Sequence, residues 1–502
     1  MKPSIYKTGL TVLGFLVLGI PYAIGVYTHD RLNQLMALSS KEDSVEIIPM
    51  TYRLGWLRSV GTSKLVIKSG ALKRYLAQYD MIEPEKKSDP VELILHHEVQ
   101  HGPVIWDKTS GMVLGLSQIK TTWDPQEVHQ LLQAVEPAKA TEPAPPHPLG
   151  KMELFITMTL SGHQVLEFST PVLGLEDPEE AARLNLQPMT GRITLSRGKE
   201  HMIGLLLLPS LQLIGGEGAL VLQDLRWEWD LQRHALTGAW ILGNNAFSVQ
   251  EADFQNSLTD PTILVTGGRA TQQCVEEAGL MHCKGSLALE RASVERKAYG
   301  PFHIELEAQN LDPIALAQID HIHKRPERDL VKSLLQADYV AGVERLLSKG
   351  PAFEIKQLFL QTPEGPLSFQ MKFGFSTKNF KVGELEKALQ HIEAQAYIDI
   401  PQVIVKELLS AWTTQTLAND NDLKTPMSTV DKEKLAGSQA QEILESWLQR
   451  RWIVPKNAAY TATLSLENGA VTINGEAYSW EPKLQPAPLP SPSVHTTPPA
   501  SL

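Results

Sequence analysis

Along most of the chain apolar and polar residues alternate with a period of two, the signature of strands with one buried and one wet face. Met152, Leu154, Ile156, Met158 and Leu160 share one side of such a run, and Lys151, Glu153, Thr157 and Thr159 share the other. Leu225, Trp227, Trp229 and Leu231 alternate with Asp224, Arg226, Glu228 and Asp230, so this strand should be aromatic on one face and charged on the opposite one. The same alternation appears at Val91, Leu93, Leu95, His97 and Val99, where Gly102-Pro103 stops it, and again at 304–308, 367–375 and 392–400. A further strand is expected at Ser63 to Lys68, after Tyr52-Arg-Leu-Gly-Trp56, with Gly55 at a position needing an unusual turn or a close backbone approach. One-face-apolar strands of this kind belong to antiparallel sheets. Thr362-Pro-Glu-Gly-Pro366 reads as a turn between two of the runs, and Asn468-Gly469 as the turn of a hairpin within Tyr460 to Tyr478.

Helical periodicity is confined to three sizeable places. Asp312-Pro313 is a cap followed by a first-turn proline, and the helix it opens breaks at Pro326. Val331, Leu334, Leu335, Tyr339, Gly342 and Leu346 then resume a stripe, which puts helices near 313–347. Ala440, Ile443, Leu444, Trp447 and Leu448 mark another within 429–450. Each stripe is read as a core face, not as a cofactor site. No repeat of fixed length is visible, which argues against a solenoid or propeller.

One stretch differs from all of these. Residues 9 to 27 carry no charge and, as a helix, cover roughly 28 Å, close to the hydrocarbon thickness of a bilayer. Lys2 and Lys7 precede it and His29-Asp30 follow, which predicts a transmembrane anchor with residues 1–8 in the cytoplasm and the rest exported. Ala23 and Gly25 form a small-x-small pair that a signal peptidase could accept. The apolar run is longer than the core of a typical signal peptide, and Tyr22 and Tyr27 suit an interfacial belt, so retention is the expectation. No cysteine lies near residue 25, which excludes a lipidated terminus.

The fold class expected is α+β and predominantly antiparallel β: an N-terminal transmembrane helix followed by an elongated, twisted-sheet periplasmic domain with a few packed helices. Pro137, Pro143, Pro145, Pro146 and Pro148 lie among alanines in a stiffened connector at 136–148. It would separate an N-terminal β-rich subdomain, 28–135, from a main domain, 149–480. The last 22 residues, 481–502, hold seven prolines and are expected to be disordered.

Composition narrows the function. Lys and Arg number 46 against 57 Asp and Glu, a net charge of -11, and no basic field exists for nucleic acid. Cys274 and Cys283 are the only cysteines, and nine positions apart in an oxidising compartment they are expected to form one local disulfide.

The sharpest catalytic candidate is His97-Glu98-Val99-Gln100-His101. On a helix the two histidines would share a face and could hold zinc, with Glu98 as general base, which would make a peptidase. On a strand they would stand roughly 13 Å apart. Gly102-Pro103 denies the helix its next turn, and no third ligand is framed. The strand reading is therefore adopted, with no metal, no cofactor and no catalytic residue assigned. There is no G-x-S-x-G elbow, no Walker loop and no dinucleotide fingerprint, so acyl transfer and nucleotide chemistry lack their usual signatures.

Taken in order, the N-terminal apolar segment, Tyr52-x-x-Gly55, His101-Gly102-Pro103 after an apolar strand, Leu347-x-x-Gly350-x-x-Phe353, and Thr463-Leu-Ser-Leu-Glu-Asn468-Gly469 leading to Asn474-Gly475 resemble the YdgA-like family of bacterial inner-membrane proteins of unknown function. The resemblance covers most of the chain. It implies a periplasmic domain of Gram-negative type with no established enzyme chemistry, and in that family His-Gly-Pro recurs whereas the first histidine does not. The Pro-rich connector and tail depart from the pattern. The function expected is a non-catalytic structural or binding role in the cell envelope, either as a protein scaffold or as a cradle for an apolar ligand such as a lipid. Tyr52, Gly55, His101, Gly102, Pro103, Gly350, Asn468 and Gly469 are expected to serve structure.

Overall fold

The computed structural model describes residues 21–30, 45–67, 91–107, 111–123, 152–177, 182–215, 218–255, 262–294, 297–323, 337–376, 389–419 and 429–478. The predicted strands form, and there are more of them than the alternation alone suggests. The first are β1 (Val45–Arg53), β2 (Arg58–Ile67), β3 (Val91–His101), β4 (Val104–Asp107), β5 (Gly111–Trp123), β6 (Glu153–Thr159), β7 (Gln164–Ser169), β8 (Leu173–Asp177), β9 (Ala182–Leu186) and β10 (Thr190–Leu195). Longer strands follow: β11 (His201–Gly215), β12 (Gly218–Arg233), β13 (Trp240–Gln255), β14 (Ile263–Glu277) and β15 (Leu280–Leu289). After β16 (Arg291–Val294) and β17 (Lys297–Tyr299) come β18 (Phe302–Leu311), β19 (Ala352–Thr362), β20 (Gly365–Phe375) and β21 (Ile392–Pro401). The last are β22 (Val454–Lys456), β23 (Ala459–Glu467), β24 (Ala470–Ile473) and β25 (Glu476–Tyr478).

Every pairing among the described residues is antiparallel. The strands join in one unbroken order, β1-β2-β3-β5-β6-β7-β10-β11-β12-β13-β14-β15-β18-β19-β20-β21-β23-β24-β25. The short strands β4, β8, β9, β16, β17 and β22 attach beside it. The sheet also crosses the expected subdomain division, because β5 pairs directly with β6.

Among the described residues helices occupy few places. They are α1 (residues 21–30), α2 (Pro313–His323), α3 (Ala337–Leu347), α4 (Gln402–Asn419) and α5 (Thr429–Gln449). Asp312 caps α2 as expected: its Oδ1 accepts the N–H of Ile314 at 2.9 Å and of Ala315 at 3.0 Å, while Arg345 of α3 donates to Oδ2 at 2.7 Å and ties the pair together. Helix α4 was not expected. Val403, Leu408 and Trp412 are exposed on it while Val405 and Leu409 are buried, so its apolar residues run around the helix and make no stripe. Each of the two helix pairs covers a small core on the sheet. Cys274, Met281 and Leu311 pack with Leu316 and Leu346 under α2 and α3. Val405, Leu409, Ala440, Leu444 and Tyr460 form the second core, under α4 and α5.

The transmembrane helix expected at 9–27 is not shown. Its first residues, with 1–8, lie outside the described residues, as do the connector at 136–148 and the tail at 481–502. No helix among the described residues is long and apolar enough to cross a membrane. What is described, α1, lies against the sheet: a Cβ at Gly25 would meet the His101 imidazole at 3.0 Å, and the His29 ring stacks on Tyr52 at 4.3 Å.

The long strands carry a feature that strand alternation hides. Residue pairing is interrupted at Pro209 and Asp224 and again at Gln250 and Gly267, and Asp224 and Gly267 have φ of 49° and 64°. On either side the parity of the apolar positions changes: Leu206 and Leu208 but Leu211 and Leu213 in β11, and Leu220 and Leu222 but Leu225 and Trp227 in β12. An irregular residue set at the same level in adjacent strands shifts the phase by one and bends them together, as a bulge does in a single pair.

Cys274 and Cys283 are direct partners across the β14–β15 ladder and are bonded, with sulfurs 2.15 Å apart. A bond closing a loop this short is worth about 2.7 kcal/mol in the chain-entropy model. Reduction should therefore lower the urea midpoint of the full chain without abolishing the fold, with far-UV dichroism before and after as the check.

Candidate functional site

Two places on the sheet hold chemistry of interest: a buried polar cluster near its N-terminal end and a continuous apolar face along its length. The cluster is built on β3. His97, Val99 and His101 all point to one side and are buried, while Glu98 points to the other, half exposed and paired with Arg58. Small residues on the neighbouring strand make room for the rings. Ser59, Gly61 and Ser63 of β2 stand opposite Val99, His97 and Leu95. His97 shares hydrogen bonds with Ser63 Oγ at 2.7 Å through Nε2 and with Thr121 Oγ1 at 2.9 Å through Nδ1. His101 Nε2 lies 2.7 Å from Ser59 Oγ, which also accepts the N–H of Gly55 at 3.1 Å.

The sequence-named residues Gly55 and His101 are thus joined through Ser59, a residue the sequence reading did not single out. Tyr52 packs beside them against Gly61. Its phenol is pushed up by burial, with the nearby Ser59 hydroxyl pulling the other way but not placed to bond it. Four buried polar atoms without a partner belong to this region: Thr28 Oγ1, Tyr52 OH, His101 Nδ1 and Ser117 Oγ. Ser117 stands directly opposite His101, and the backbone of Gly102 bonds Leu116 O at 2.7 Å.

The helix on which the zinc alternative depended is not formed. His97-Glu98-Val99-Gln100-His101 is a strand, its two rings are held by separate serines, and Glu98 faces away from both. Among the described residues no group of three or more His, Cys, Asp and Glu is arranged to hold a metal ion. Burial lowers the His97 pKa to about 4, with the neighbouring His96 adding to the shift, and burial also lowers that of His101. A histidine that is neutral when folded stabilises the fold above its unfolded value, and that contribution is lost as pH falls from 6.5 toward 4. For His97 the loss is at most about 3 kcal/mol. Unfolding free energy should therefore decline over that window, and His97→Gln should flatten the decline.

Other sequence-named residues lie elsewhere and serve the backbone. Gly350, φ 65°, ends α3, and Pro351 begins the path into β19. Asn468 and Gly469, φ 53° and 80°, turn β23 into β24 as expected, and Asn474-Gly475 turns β24 into β25 in the same way.

The apolar face emerges only when cross-strand partners are followed from strand to strand. One row begins at Leu154 and passes through Phe168, Gly191, Leu206, Trp227 and Phe247, each the direct partner of the one before. It continues through Ala270, Leu287, Ile304, Leu358 and Phe369 to Ile398 and Ala462. Every member is apolar or glycine, over a path of roughly 58 Å at the usual strand spacing. The rows on either side of it hold no charged side chain over the same strands. On one side runs the row from Ile156 and Leu166 to Leu464, with that from Met158 and Gln164 to Leu466 beyond it. On the other side, from β11 to β23, stand Leu208, Leu225, Val249, Gly268, Leu289, Phe302, Leu360, Leu367, Ile400 and Tyr460.

On β12, β13, β15 and β18 this face has exposed members: Trp227 is 42% exposed, Phe247 39%, Leu287 41% and Leu306 44%. Glycines in the face are covered by aromatic rings, with Trp229 over Gly204 and Phe168 over Gly191. The opposite face is polar. It carries Arg226 bonded to Glu228, His201 bonded to Asp230 and Lys356 bonded to Glu307. Two shallow concavities of about 400 and 510 Å³ are lined mainly by that polar side and by the bend.

A model of the family described as "Bacterial protein of unknown function (DUF945)" matches residues 1–481. No curated protein and no solved structure matches the chain.

Proposed function

The chain belongs to the DUF945 family of bacterial proteins, and on that premise we propose that it is a non-catalytic envelope protein whose apolar sheet face holds the acyl chain of a lipid. The observation that carries this reading is the unbroken apolar row from Leu154 to Ala462, with uncharged rows beside it and with Trp227, Phe247 and Leu287 exposed in it. Monomeric proteins seldom leave apolar surface of such extent open unless something binds it. A long, narrow, uncharged strip matches an extended hydrocarbon chain better than it matches a protein partner, whose interface would bring a polar rim and hydrogen bonds.

The location proposed with this function is the inner membrane, anchored through residues 9–27, with the bulk of the chain in the periplasm. Its support is the charge-free segment preceded by Lys2 and Lys7, the bonded cysteine pair, and the resemblance to the YdgA-like proteins. No nucleic-acid partner is proposed for so acidic a chain.

The test is site-specific photocrosslinking in cells. A photoreactive residue at Phe247 or Leu287 should capture an acyl lipid that is released by saponification and identified by mass. The same residue at Glu228 or Lys284, on the polar face, should capture none. Capture of protein alone at Phe247 and Leu287 would replace the cradle by a scaffold.

A further inference from the structure

The apolar face has one polar interruption between β10 and β21, and it lies in the row beside the one just traced. Following partners from Ile193, that row passes Gly204 and Trp229, reaches Asn245 and Gln272, and then returns to Gly285, Leu306, Ile355, Met371 and Ala396. Asn245 and Gln272 are direct partners on β13 and β14. Phe247 and Ala270 flank them on one side, and Gly243 and Cys274 on the other.

Their donors are oriented. Asn245 Oδ1 accepts the indole N–H of Trp227 at 2.6 Å, which fixes the carbonyl inward and leaves the amide N–H group for another acceptor. Gln272 is exposed, and its amide nitrogen approaches Cys274 Sγ, a weak acceptor, at 3.5 Å. Trp229, the partner of Asn245 on the other side, carries a buried indole N–H with no acceptor. Beside Gln272 the face is low: a Cβ on Gly285 would meet nothing closer than Thr271 O at 3.6 Å.

We propose that Asn245 and Gln272 receive an uncharged hydrogen-bonding group on the ligand, so that the occupant of the face is an acyl amphiphile with an ester or amide carbonyl lying over Gly285. This rests on the acyl-chain reading above and narrows it. A carbonyl oxygen would accept from the two side-chain amides while its chain runs along the Trp227 to Leu287 row. A charged group fits poorly, because the three adjacent rows contain neither an acid nor a base to pair with it, and an unpaired charge on apolar surface is costly. A bare hydrocarbon would cover the two amides and leave their N–H groups without acceptors.

The experiment uses the full chain in lipid nanodiscs and reads quenching of tryptophan fluorescence by three brominated eighteen-carbon probes: a methyl ester, an alkane, and the carboxylate at pH 8. The ester should bind about tenfold more tightly than the alkane, as expected for two modest hydrogen bonds, and more tightly than the carboxylate. Asn245→Leu with Gln272→Leu should abolish the preference for the ester while leaving alkane quenching unchanged. Gln272→Glu keeps the shape of an exposed side chain and should weaken ester binding too, a second reading if the double variant folds poorly. An equal affinity of the wild-type chain for ester and alkane, or a preference that survives in the variants, would overturn the carbonyl site while leaving the acyl-chain reading intact. Absence of quenching by any of the three probes would sink both.

Discussion

Gly102→Ala is expected to cost more than about 4 kcal/mol and to leave the N-terminal part of the sheet unfolded where the wild-type chain is folded. A Cβ at this position would lie 1.7 Å from the carbonyl oxygen of Gly115 and 2.8 Å from its carbon. Both atoms are backbone, so no rotamer change relieves the clash. The strand crossing is held on either side by bonds from His101 N to Leu57 O at 2.8 Å, from Gly102 N to Leu116 O at 2.7 Å and from Gly115 N to Pro103 O at 3.0 Å. Separating β3 from β5 to admit a methyl group would break these and expose the Val99 and Ile119 core. Urea unfolding followed by tryptophan emission measures the effect, with Gly174→Ala as the control. A Cβ at Gly174 meets nothing within 4 Å, and that variant should change stability by less than about 1 kcal/mol.

The second large effect is on binding. Leu287→Glu places a carboxylate in the middle of the apolar row, next to Ala270 and Ile304. It should weaken retention of a fluorescent acyl probe on the order of 100-fold, because a desolvated charge without a partner costs several kcal/mol. The fold should survive, since Leu287 is already 41% exposed and the carboxylate can turn to solvent. Lys284→Gln makes the same one-unit change of net charge on the opposite face of the same strand and should leave retention unaltered. Equal loss in both variants would mean that the probe senses overall charge and not this face.

These expectations draw unequally on sequence and structure. The period-two runs at 152–160, 225–231 and 392–400 made the strands and their apolar sides legible, because side-chain direction in a strand depends only on parity. Local chemistry was equally legible at Asp312-Pro313, which caps α2, and at Asn468-Gly469, which turns the closing hairpin. Helix α4 escaped because apolar residues surround it. The bend at Pro209, Asp224 and Gly267 escaped because a one-residue phase shift looks, in a single strand, like the end of a pattern.

His97-Glu98-Val99-Gln100-His101 shows where local reading stops. Its alternation and the following Gly102-Pro103 were enough to prefer a strand over a zinc-binding helix. Its partners Ser59, Ser63, Ser117 and Thr121 lie 16 to 42 positions away and carry no signal beyond the small residues alternating along β2.

By itself, then, the sequence determined the strands at 91–101, 152–160, 225–231, 304–308, 367–375 and 392–400 with their apolar sides, the turns at Thr362-Pro-Glu-Gly-Pro366 and Asn468-Gly469, and that the chain is acidic with a single cysteine pair. Those properties reside in a residue and its near neighbours, through parity, backbone freedom and charge. Only the tertiary structure decided that the strands join in one continuous antiparallel order, that their apolar sides align into a single uncharged face, and that Asn245 and Gln272 meet in the middle of it. Strand order and register depend on pairings between distant segments, and shifting any one strand by a single residue would turn its apolar side away from that face.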